Sequence, residues 1–499
     1  MPIPAEILAV KRPQNTVVIA YGKDKNHFAV RQRVGCKYVN GRSVPVNGPT
    51  IGHIEHGAYV PLDPIEKVTK SKLDLRVWGS VEFANRMFEP ILAEIREVFH
   101  EDDAFRITTI AILRTCFPGI KDYELKEAYD TSFLSLLYPK VGLSKNSVST
   151  FIGNLGRNCS RILQFMSNRV KRVKGGEHLV IDGTLKSDES TVNTLSNFSR
   201  KAKTKGTRDI CVIYAYSLET KEPICSEVFP GNMLDCTCYG RFIADNNIQK
   251  GIIVGDKGFP SGSAAGHFKA NKDLHYLNPI HRNAKYISTF DLHNYQGQLA
   301  GHPEIQYCKK HVPKANKYLY AFRNSQTAYR EETTWLNSCS NGGTYSDEEH
   351  KRKSKSFGTI VLESDLDLTP EEIYKVYAKR WEIELVMRYY KSALDFDETR
   401  VQNDYSVLGT EFIDFLASVL TMKMINRFDE LDLLVKMPYG KIMSILKRAQ
   451  KVRISEKAEW QLVSLNPSQE EILVKLGLIV KEDGAQPQRR NRGRPKKVQ

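Results

Sequence analysis

Residues 178–184 read HLVIDGT, and residues 251–259 read GIIVGDKGF. In each stretch a short apolar run leads to an aspartate, Asp182 in the first and Asp256 in the second. Apolar runs of this length, rich in β-branched residues and bounded by glycine, are typical of buried strands. Groups at the carboxyl ends of such strands face the binding crevice of an open α/β sheet. The two stretches therefore predict an α/β fold with two aspartates at one crevice.

A third stretch, residues 377–391, reads YAKRWEIELVMRYYK and has the pattern of a helix. At about 100° per residue, Tyr377, Arg380, Glu384 and Lys391 fall within an arc of roughly 60° on one helix face. Two aspartates at strand ends and a glutamate on a helix can converge on a pair of Mg²⁺ ions, since hard cations prefer carboxylate oxygens. Two such ions clamp the attacking and leaving oxygens of a phosphoryl transfer.

Each element alone has a plainer explanation. A helix rich in Arg, Lys and Glu is usually a solvated face, and a strand that ends in Asp-Gly is more often a turn. The joint pattern favours catalysis because the plainer explanations would have to hold at three places. Glu382 and Asp395 are the rival carboxylates, but Glu382 lies about 160° around the helix from Glu384. Arg388 lies about 20° from Tyr377 by the same geometry and is a further candidate for phosphate binding.

In order and context, these elements resemble bacterial insertion-sequence transposases of the DDE type, in the group marked by Tyr-x2-Arg-x3-Glu-x6-Lys (the insertion-sequence-four type). The four signature positions are Tyr377, Arg380, Glu384 and Lys391. Asp182 in IDGT and Asp256 in GDKGF look like the first and second aspartates of the triad. The resemblance implies an α/β, ribonuclease-H-like catalytic core, interrupted by a β-rich insertion between the second aspartate and the glutamate.

The resemblance also implies an activity. Asp182, Asp256 and Glu384 would hold two Mg²⁺ ions, with Mn²⁺ as a substitute, while Arg380 and Lys391 grip phosphates and Tyr377 hydrogen-bonds one. The expected protein is a homodimer on paired DNA ends that excises its element, through a hairpin intermediate, and joins it to target DNA. Two alternatives stay open: a divalent-metal nuclease without strand transfer, and a transposase-derived DNA-binding regulator.

The composition agrees with a nucleic-acid partner. Lys and Arg number 73 against 58 Asp and Glu, a net charge of +15 in 499 residues, and such an excess neutralises phosphates. The 9 cysteines include no CxxC pair, and Cys236 and Cys238 lack partners at zinc-site spacing, so they are interpreted as ordinary thiols. Neither a signal peptide nor an apolar run of membrane-spanning length is apparent. A cytoplasmic protein acting on nucleoid DNA is expected.

The pattern of the chain predicts five parts. Residues 1–65 form a small basic β-rich unit that either contacts DNA or is an ordinary soluble surface. Residues 66–175 form a helical domain expected to bind DNA ends; the helix after Ser144 is either a helix-turn-helix reader or part of a packed bundle. Residues 176–428 form the catalytic core, with the insertion at about 281–360. A helical region, 429–480, and a basic tail, 481–499, follow.

Further DNA-binding residues are predicted outside the signature. Lys203 and Lys205 lie in a basic loop after the first aspartate and are candidates for phosphate binding. Trp335, in the insertion, either stacks on a flipped base, as the resemblance suggests, or is a buried tryptophan that supports a sheet. Arg492 and Arg494 belong to RGRPKK, which looks like an AT-hook for the minor groove. A basic tail that binds DNA without sequence preference is the alternative.

Overall fold

The structure, a computed structural model, describes residues 3–22, 27–39, 41–62, 73–188, 190–199, 206–233, 235–256, 261–399, 401–455 and 457–480. The chain divides into two compact units, Met1–Asp74 with Arg453–Glu459 and Leu75–Val452 with Trp460–Gln499. The three predicted carboxylates all belong to the second unit.

The first unit is built on a four-stranded antiparallel sheet in sequential order. Its elements are α1 (Ala5–Ala9), β1 (Thr16–Tyr21), β2 (His27–Val39), β3 (Arg42–Glu55) and β4 (Ala58–Pro61). Its hydrophobic core consists of Val18, Val30 and Ile54 with a few half-buried neighbours. Most of β2 is exposed because so small a sheet has only one face to bury.

A short strand and six helices come next in the chain. They are β5 (Asp74–Val77), α2 (Gly79–Arg96), α3 (Glu101–Cys116), α4 (Leu125–Asp130), α5 (Leu134–Leu137), α6 (Lys145–Arg157) and α7 (Cys159–Val170). On α2, Phe88, Ile91, Leu92 and Ile95 recur at three- and four-residue spacing and are all buried, as the sequence predicts for an amphipathic helix. At the start of α6, the Ser144 side chain accepts a hydrogen bond from the Ser147 amide, which caps the helix.

A large mixed sheet of 11 strands forms the centre of the second unit. Its first elements are β6 (His178–Asp188), β7 (Asn197–Phe198), β8 (Arg208–Ser217), β9 (Glu222–Pro230), α8 (Asp235–Asp245), β10 (Gly251–Val254), α9 (Ala265–Ala270) and β11 (Leu274–Pro279). Strands β6, β8 and β9 are antiparallel neighbours, since β8 pairs with β6 and β9 pairs with β8. Strand β10 runs parallel to both β6 and β11.

The segment expected to be a β-rich insertion is mixed. It contains α10 (Lys285–Thr289), β12 (Gly297–Leu299), β13 (His302–Val312), β14 (Lys317–Asn324), α11 (Ser325–Ser340), α12 (Asp347–Ser354) and β15 (Thr359–Ser364). Its strands extend the central sheet, because β15 pairs with β11 on one side and β14 on the other. Two helices stand between β14 and β15, and the Asn324 and Ser346 side chains cap their first turns.

The prediction of one uninterrupted helix over residues 377–391 is wrong. The segment consists of α13 (Pro370–Lys379), α14 (Glu382–Arg388) and a π-helical turn, Tyr389–Ala393. At the junction, the amides of Arg380, Ile383 and Glu384 donate to carbonyls three residues earlier rather than four. Such bonds tighten the helix, and the π turn then loosens it. The arc calculated at about 100° per residue therefore does not hold across the break.

A 27-residue helix dominates the rest of the second unit. The remaining elements are β16 (Glu398–Thr399), α15 (Asp404–Glu430), α16 (Leu433–Lys436), α17 (Tyr439–Arg448), β17 (Gln450–Arg453), β18 (Gln461–Leu462) and α18 (Pro467–Lys475). As expected from its apolar sequence, α15 is buried along most of its length. Helix α6 crosses it closely: a Cβ on Gly409 would lie 2.2 Å from the Ile152 carbonyl oxygen.

Within the residues described, no helix combines the length and apolar character that crossing a bilayer requires.

Candidate active site

Asp182 and Asp256 lie side by side in the central sheet, but only Asp256 follows a strand end as predicted, because β6 continues for six residues beyond Asp182. Strand β10 runs parallel to β6 with Val254 opposite Val180, so each aspartate lies two residues beyond this pair. The chain after β10 is held in place because the Gly255 amide donates to the Leu277 carbonyl and to the Asn278 side chain. The parallel register thus places both carboxylates on one side of the sheet.

Asp182 is in an environment that disfavours its charge. Burial, together with the nearby carboxylates of Asp256 and Glu384, raises the pKa of Asp182 to about 6. The Gly183 amide, which donates to its Oδ1 at 2.8 Å, and the Arg380 guanidinium act in the opposite direction. A buried carboxylate beside other carboxylates is disfavoured in its ionised form. All three predicted carboxylates therefore interact electrostatically.

Arg380 lies between two of the three carboxylates. Its Nη1 is 3.8 Å from Asp256 Oδ1, and its Nη2 is 3.4 Å from Glu384 Oε1. The guanidinium carbon also lies 5.7 Å from the centre of the Tyr377 ring. Burial raises the pKa of the Tyr377 hydroxyl, while Arg380 lowers it and Asp256 raises it. The structure therefore brings Asp182, Asp256, Glu384, Arg380 and Tyr377 into one cluster.

The other members of the predicted helix face lie elsewhere. The Lys391 ammonium donates to the Leu185 carbonyl oxygen of β6 at 2.9 Å, because the π turn carries it back onto the strand. Arg388 is exposed on α14. Of the rival carboxylates, Glu382 interacts electrostatically with Tyr216 of β8. Burial is the main cause that raises the pKa of the Tyr216 hydroxyl, and the charge of Glu382 raises it further. Asp395 packs against Gly119, where an added Cβ would lie 2.8 Å from its Oδ2.

Trp335 is neither an exposed aromatic nor a residue buried under a sheet. It lies half-buried on α11, and its ring stacks on His350 of α12 at 5.4 Å between ring centres and an angle of 3°. The Lys353 ammonium lies 5.3 Å from the ring centre, and His350 also contacts Glu332 at 2.6 Å. Sequence alone did not show that α12 covers one face of the indole.

Four of the predicted DNA-binding residues lie outside the described residues. They are Lys203 and Lys205 in the basic loop and Arg492 and Arg494 in the tail.

Sequence reasoning missed a buried group of charges behind the cluster. The Lys186 ammonium, four residues beyond Asp182 on β6, contacts Glu411 Oε1 at 2.5 Å and Asp414 Oδ2 at 3.2 Å. Arg114 of α3 binds the other oxygen of Asp414 at 2.6 Å and reaches Asp122 at 3.1 Å. Burial lowers the pKa of Lys186, but the two acids raise it overall. Two carboxylates one turn apart in the apolar helix α15 were the available signal.

The cluster has the ligand types of a Mg²⁺ site, but its carboxylates are too far apart to bind one ion together. Its carboxylate oxygens are the ligands that hard divalent cations prefer. Among the residues that the structure describes, however, no three His, Cys, Asp or Glu side chains are grouped closely enough to hold a metal ion. The positive charge between Asp256 and Glu384 is the Arg380 guanidinium.

One family model matches the part of the chain that contains the cluster. Residues 174–408 match the family model described as Transposase DDE domain, and the matched segment runs from just before β6 into α15, so it includes all three carboxylates. The match supports a DDE transposase. It does not extend to the subgroup that carries the Tyr-x2-Arg-x3-Glu-x6-Lys signature.

Among solved structures, a piggyBac transposase synaptic complex with hairpin DNA is similar to this chain, with 11% sequence identity and a TM-score of 0.40. The similarity covers 82% of this chain and 87% of that chain. No curated protein sequence matches the chain.

Proposed function

We propose that this protein is a DNA transposase of the Tyr-x2-Arg-x3-Glu-x6-Lys group, which cleaves the ends of an insertion sequence and joins them to target DNA. The observation that carries the proposal is the cluster of Asp182, Asp256 and Glu384, with Arg380 between two of them. The strand order supports a ribonuclease-H-like core, since β6, β8 and β9 are antiparallel neighbours and β10 is parallel to β6.

Asp182, Asp256 and Glu384 are the residues that would hold Mg²⁺, or Mn²⁺ in its place. When bound, two such ions stabilise the charge on the attacking and leaving oxygens of the phosphodiester. Burial, and after it the neighbouring carboxylates, raise the pKa of Asp182, and a cation between the carboxylates would favour the ionised form. The carboxylates must draw closer to share an ion, since no ligand group is closed among the described residues.

Arg380 and Tyr377 are assigned to the phosphates that flank the scissile bond. A guanidinium suits bidentate binding of a phosphate, and Arg380 would be available for it if a metal ion took over its contacts with Asp256 and Glu384. Arg388 is exposed and is available as a further contact. Lys391 completes the proposed set, but to reach a phosphate its ammonium must leave the Leu185 carbonyl.

DNA is the proposed partner: the terminal repeats of the element and a target duplex, bound by a homodimer on paired ends in the bacterial cytoplasm. The net charge of +15 supports a polyanionic partner. Residues 66–175 are assigned to end binding and the tail, with Arg492 and Arg494, to an AT-hook. Trp335 is assigned to base stacking at a hairpin end; to stack on a base, its ring would have to give up part of its present contact with His350 or Lys353.

The test uses the repeats that flank the gene on a supercoiled donor plasmid, with purified protein and Mg²⁺. Wild type is compared with Glu384→Gln, which keeps the side-chain shape and removes the charge. The matched control is Glu382→Gln, two residues away in the same helix and facing Tyr216. Excision and joining by wild type and Glu382→Gln, but not by Glu384→Gln, are expected.

Other outcomes would change the proposal. Equal activity of Glu384→Gln and wild type would remove Glu384 from the triad. Cleavage of the donor without joining would favour a divalent-metal nuclease. Binding of the repeats with no cleavage by wild type would favour a regulator derived from a transposase.

A further inference from the structure

A polar groove lies between α3 and the α6–α7 pair, built from other residues than the carboxylate cluster. Its lining includes hydroxyl groups and the edges of buried apolar residues. It also includes three arginines and three asparagines: Arg106, Arg157, Arg161, Asn146, Asn154 and Asn158. Asp103 is its single acidic residue. The groove therefore combines a positive charge with a row of amide groups.

Helix α6 is held so that this polar face points outward. Asn146, Thr150, Asn154 and Arg157 fall within an arc of about 80° on the helix, and all four are exposed. The opposite face, which includes Ile152, is buried. Close packing against α15 fixes the rotation of the helix, since a Cβ on Gly156 would lie 1.7 Å from the Tyr405 carbonyl oxygen.

The three arginines are positioned without acidic partners. Arg106 lies 4.9 Å from the centre of the Phe151 ring, and Arg157 lies 5.5 Å from the centre of the Tyr405 ring. Arg157 also donates to Asn154 Oδ1 at 3.1 Å. Among the residues that the structure describes, Arg106, Arg157 and Arg161 form no ion pair with a carboxylate. A cation over a ring face is attracted to the ring but is not neutralised by it, so its charge remains able to bind a phosphate.

We propose that this groove binds the sugar–phosphate backbone of duplex DNA. The proposal rests on the proposed function for the identity of the partner, and it adds a second contact region to the carboxylate cluster. Arginine, asparagine, serine and threonine are the side chains that contact phosphate and sugar oxygens. A concave groove favours the backbone over base edges, because a reading helix must project into the major groove. Binding here positions the duplex and is independent of its sequence.

The test measures binding by the full chain carrying Glu384→Gln, so that no cleavage occurs. Fluorescence anisotropy compares a terminal-repeat duplex with a scrambled duplex of equal length over a range of salt concentrations. For Arg157→Gln with Arg161→Gln, affinity for both duplexes is expected to fall by the same factor, on the order of tenfold, and the salt slope to fall by about 2. Arg427→Gln is the control, a half-buried arginine paired with Glu430 on α15.

Three results would overturn the proposal. Unchanged affinity and slope in the double variant would remove the groove from the interface while leaving the proposed function intact. A loss confined to the terminal-repeat duplex would indicate base reading. If the Glu384→Gln protein without substitutions in the groove bound neither duplex, the DNA partner would be rejected, and both proposals with it.

A crosslink provides an independent measurement. Cys159 is exposed at the first residue of α7, next to the groove residue Asn158. Duplexes that carry an activated disulfide on a backbone phosphate should therefore form a mixed disulfide with this thiol. Cys36, exposed on the sheet of the first unit, is the matched comparison. Equal crosslinking in wild type and Cys159→Ser would contradict the proposal.

Discussion

The carboxylate cluster and the polar groove both contain arginines, but the arginines differ in whether a carboxylate lies beside them. At the cluster, Arg380 lies within 4 Å of two carboxylates, so its charge is already matched inside the protein. At the groove, Arg106 and Arg157 lie over aromatic rings and have no acidic partner among the described residues. Under the two proposals, a matched cation fits a site that a metal would occupy, and an unmatched cation fits a site that would bind phosphate.

The largest expected effect breaks the cluster alone. Asp256→Asn removes a charge on which both Arg380 and the proposed metal depend, and should lower the rate of DNA cleavage on the order of a thousandfold, the size seen when transition-state charge loses a fixed partner. Single-turnover cleavage of a labelled terminal-repeat duplex measures it. Duplex affinity in the absence of divalent metal should stay within about twofold. A loss of binding as large as the loss of cleavage would mean that the two regions are not separate.

The next effect concerns the scaffold behind the cluster. Lys186→Met leaves Glu411 and Asp414 buried with one fewer cation, and breaking a buried pair in this way costs about 3–5 kcal/mol. Urea denaturation should show a lower free energy of unfolding. Lys423→Met is the comparison, because the partner of Lys423, Glu222, is less buried. Equal losses in the two variants would show that the buried charges around Lys186 contribute no more to the free energy of unfolding than the Lys423–Glu222 pair does.

A third change targets the support of the groove. Gly156→Ala adds a Cβ 1.7 Å from the Tyr405 carbonyl oxygen at the α6–α15 crossing. Overpacking of this kind typically costs about 1–3 kcal/mol. Thermal unfolding should show a lower Tm, and duplex binding should weaken as α6 moves. Gly440→Ala is the control, since nothing lies within 4 Å of the position of its added Cβ. An unchanged Tm for Gly156→Ala would contradict the close crossing.

The smallest effect is a pH dependence remote from both regions. Burial, and then the nearby Asp245, raise the pKa of Glu227 from 4.5 to about 8. Between these values the folded protein keeps a proton that the unfolded chain releases, so the stability contributed by this group is present at low pH and is lost as pH rises through about 8. Glu227→Gln mimics the protonated form.

The Tm of Glu227→Gln should therefore exceed that of wild type at pH 9 and match it near pH 5. Differential scanning calorimetry at both pH values measures the difference. A constant offset across the range would mean that the Glu227 carboxylate does not titrate as described.

Local pattern was sufficient for much of the core. The apolar runs before Asp182 and Asp256 became the first part of β6 and the whole of β10, and the parallel register of these strands places the two aspartates side by side. The helical spacing in α2 and the apolar length of α15 also matched the structure. These features follow from side-chain periodicity within one element, so they are visible without knowledge of the neighbours.

The contacts that a side chain makes depended on neighbours that are distant in sequence. The spacing from Tyr377 to Lys391 predicted one helix face, but the break at Arg380 and the π turn carry Lys391 onto the Leu185 carbonyl. Likewise, the indole of Trp335 is covered by His350 from the next helix. Helical geometry extrapolated over several turns fails at one local change of winding.

The sequence by itself determined that apolar strand segments lead to Asp182 and to Asp256, and that the chain carries an excess of positive charge. Only the tertiary structure decided that Arg380 bridges Asp256 and Glu384, that Lys186 is buried with Glu411, and that α3 and α6 enclose a groove with Arg157 at its edge. The reason is physical. Residue type and periodicity are local, whereas pairing and burial depend on contacts between residues far apart in the chain.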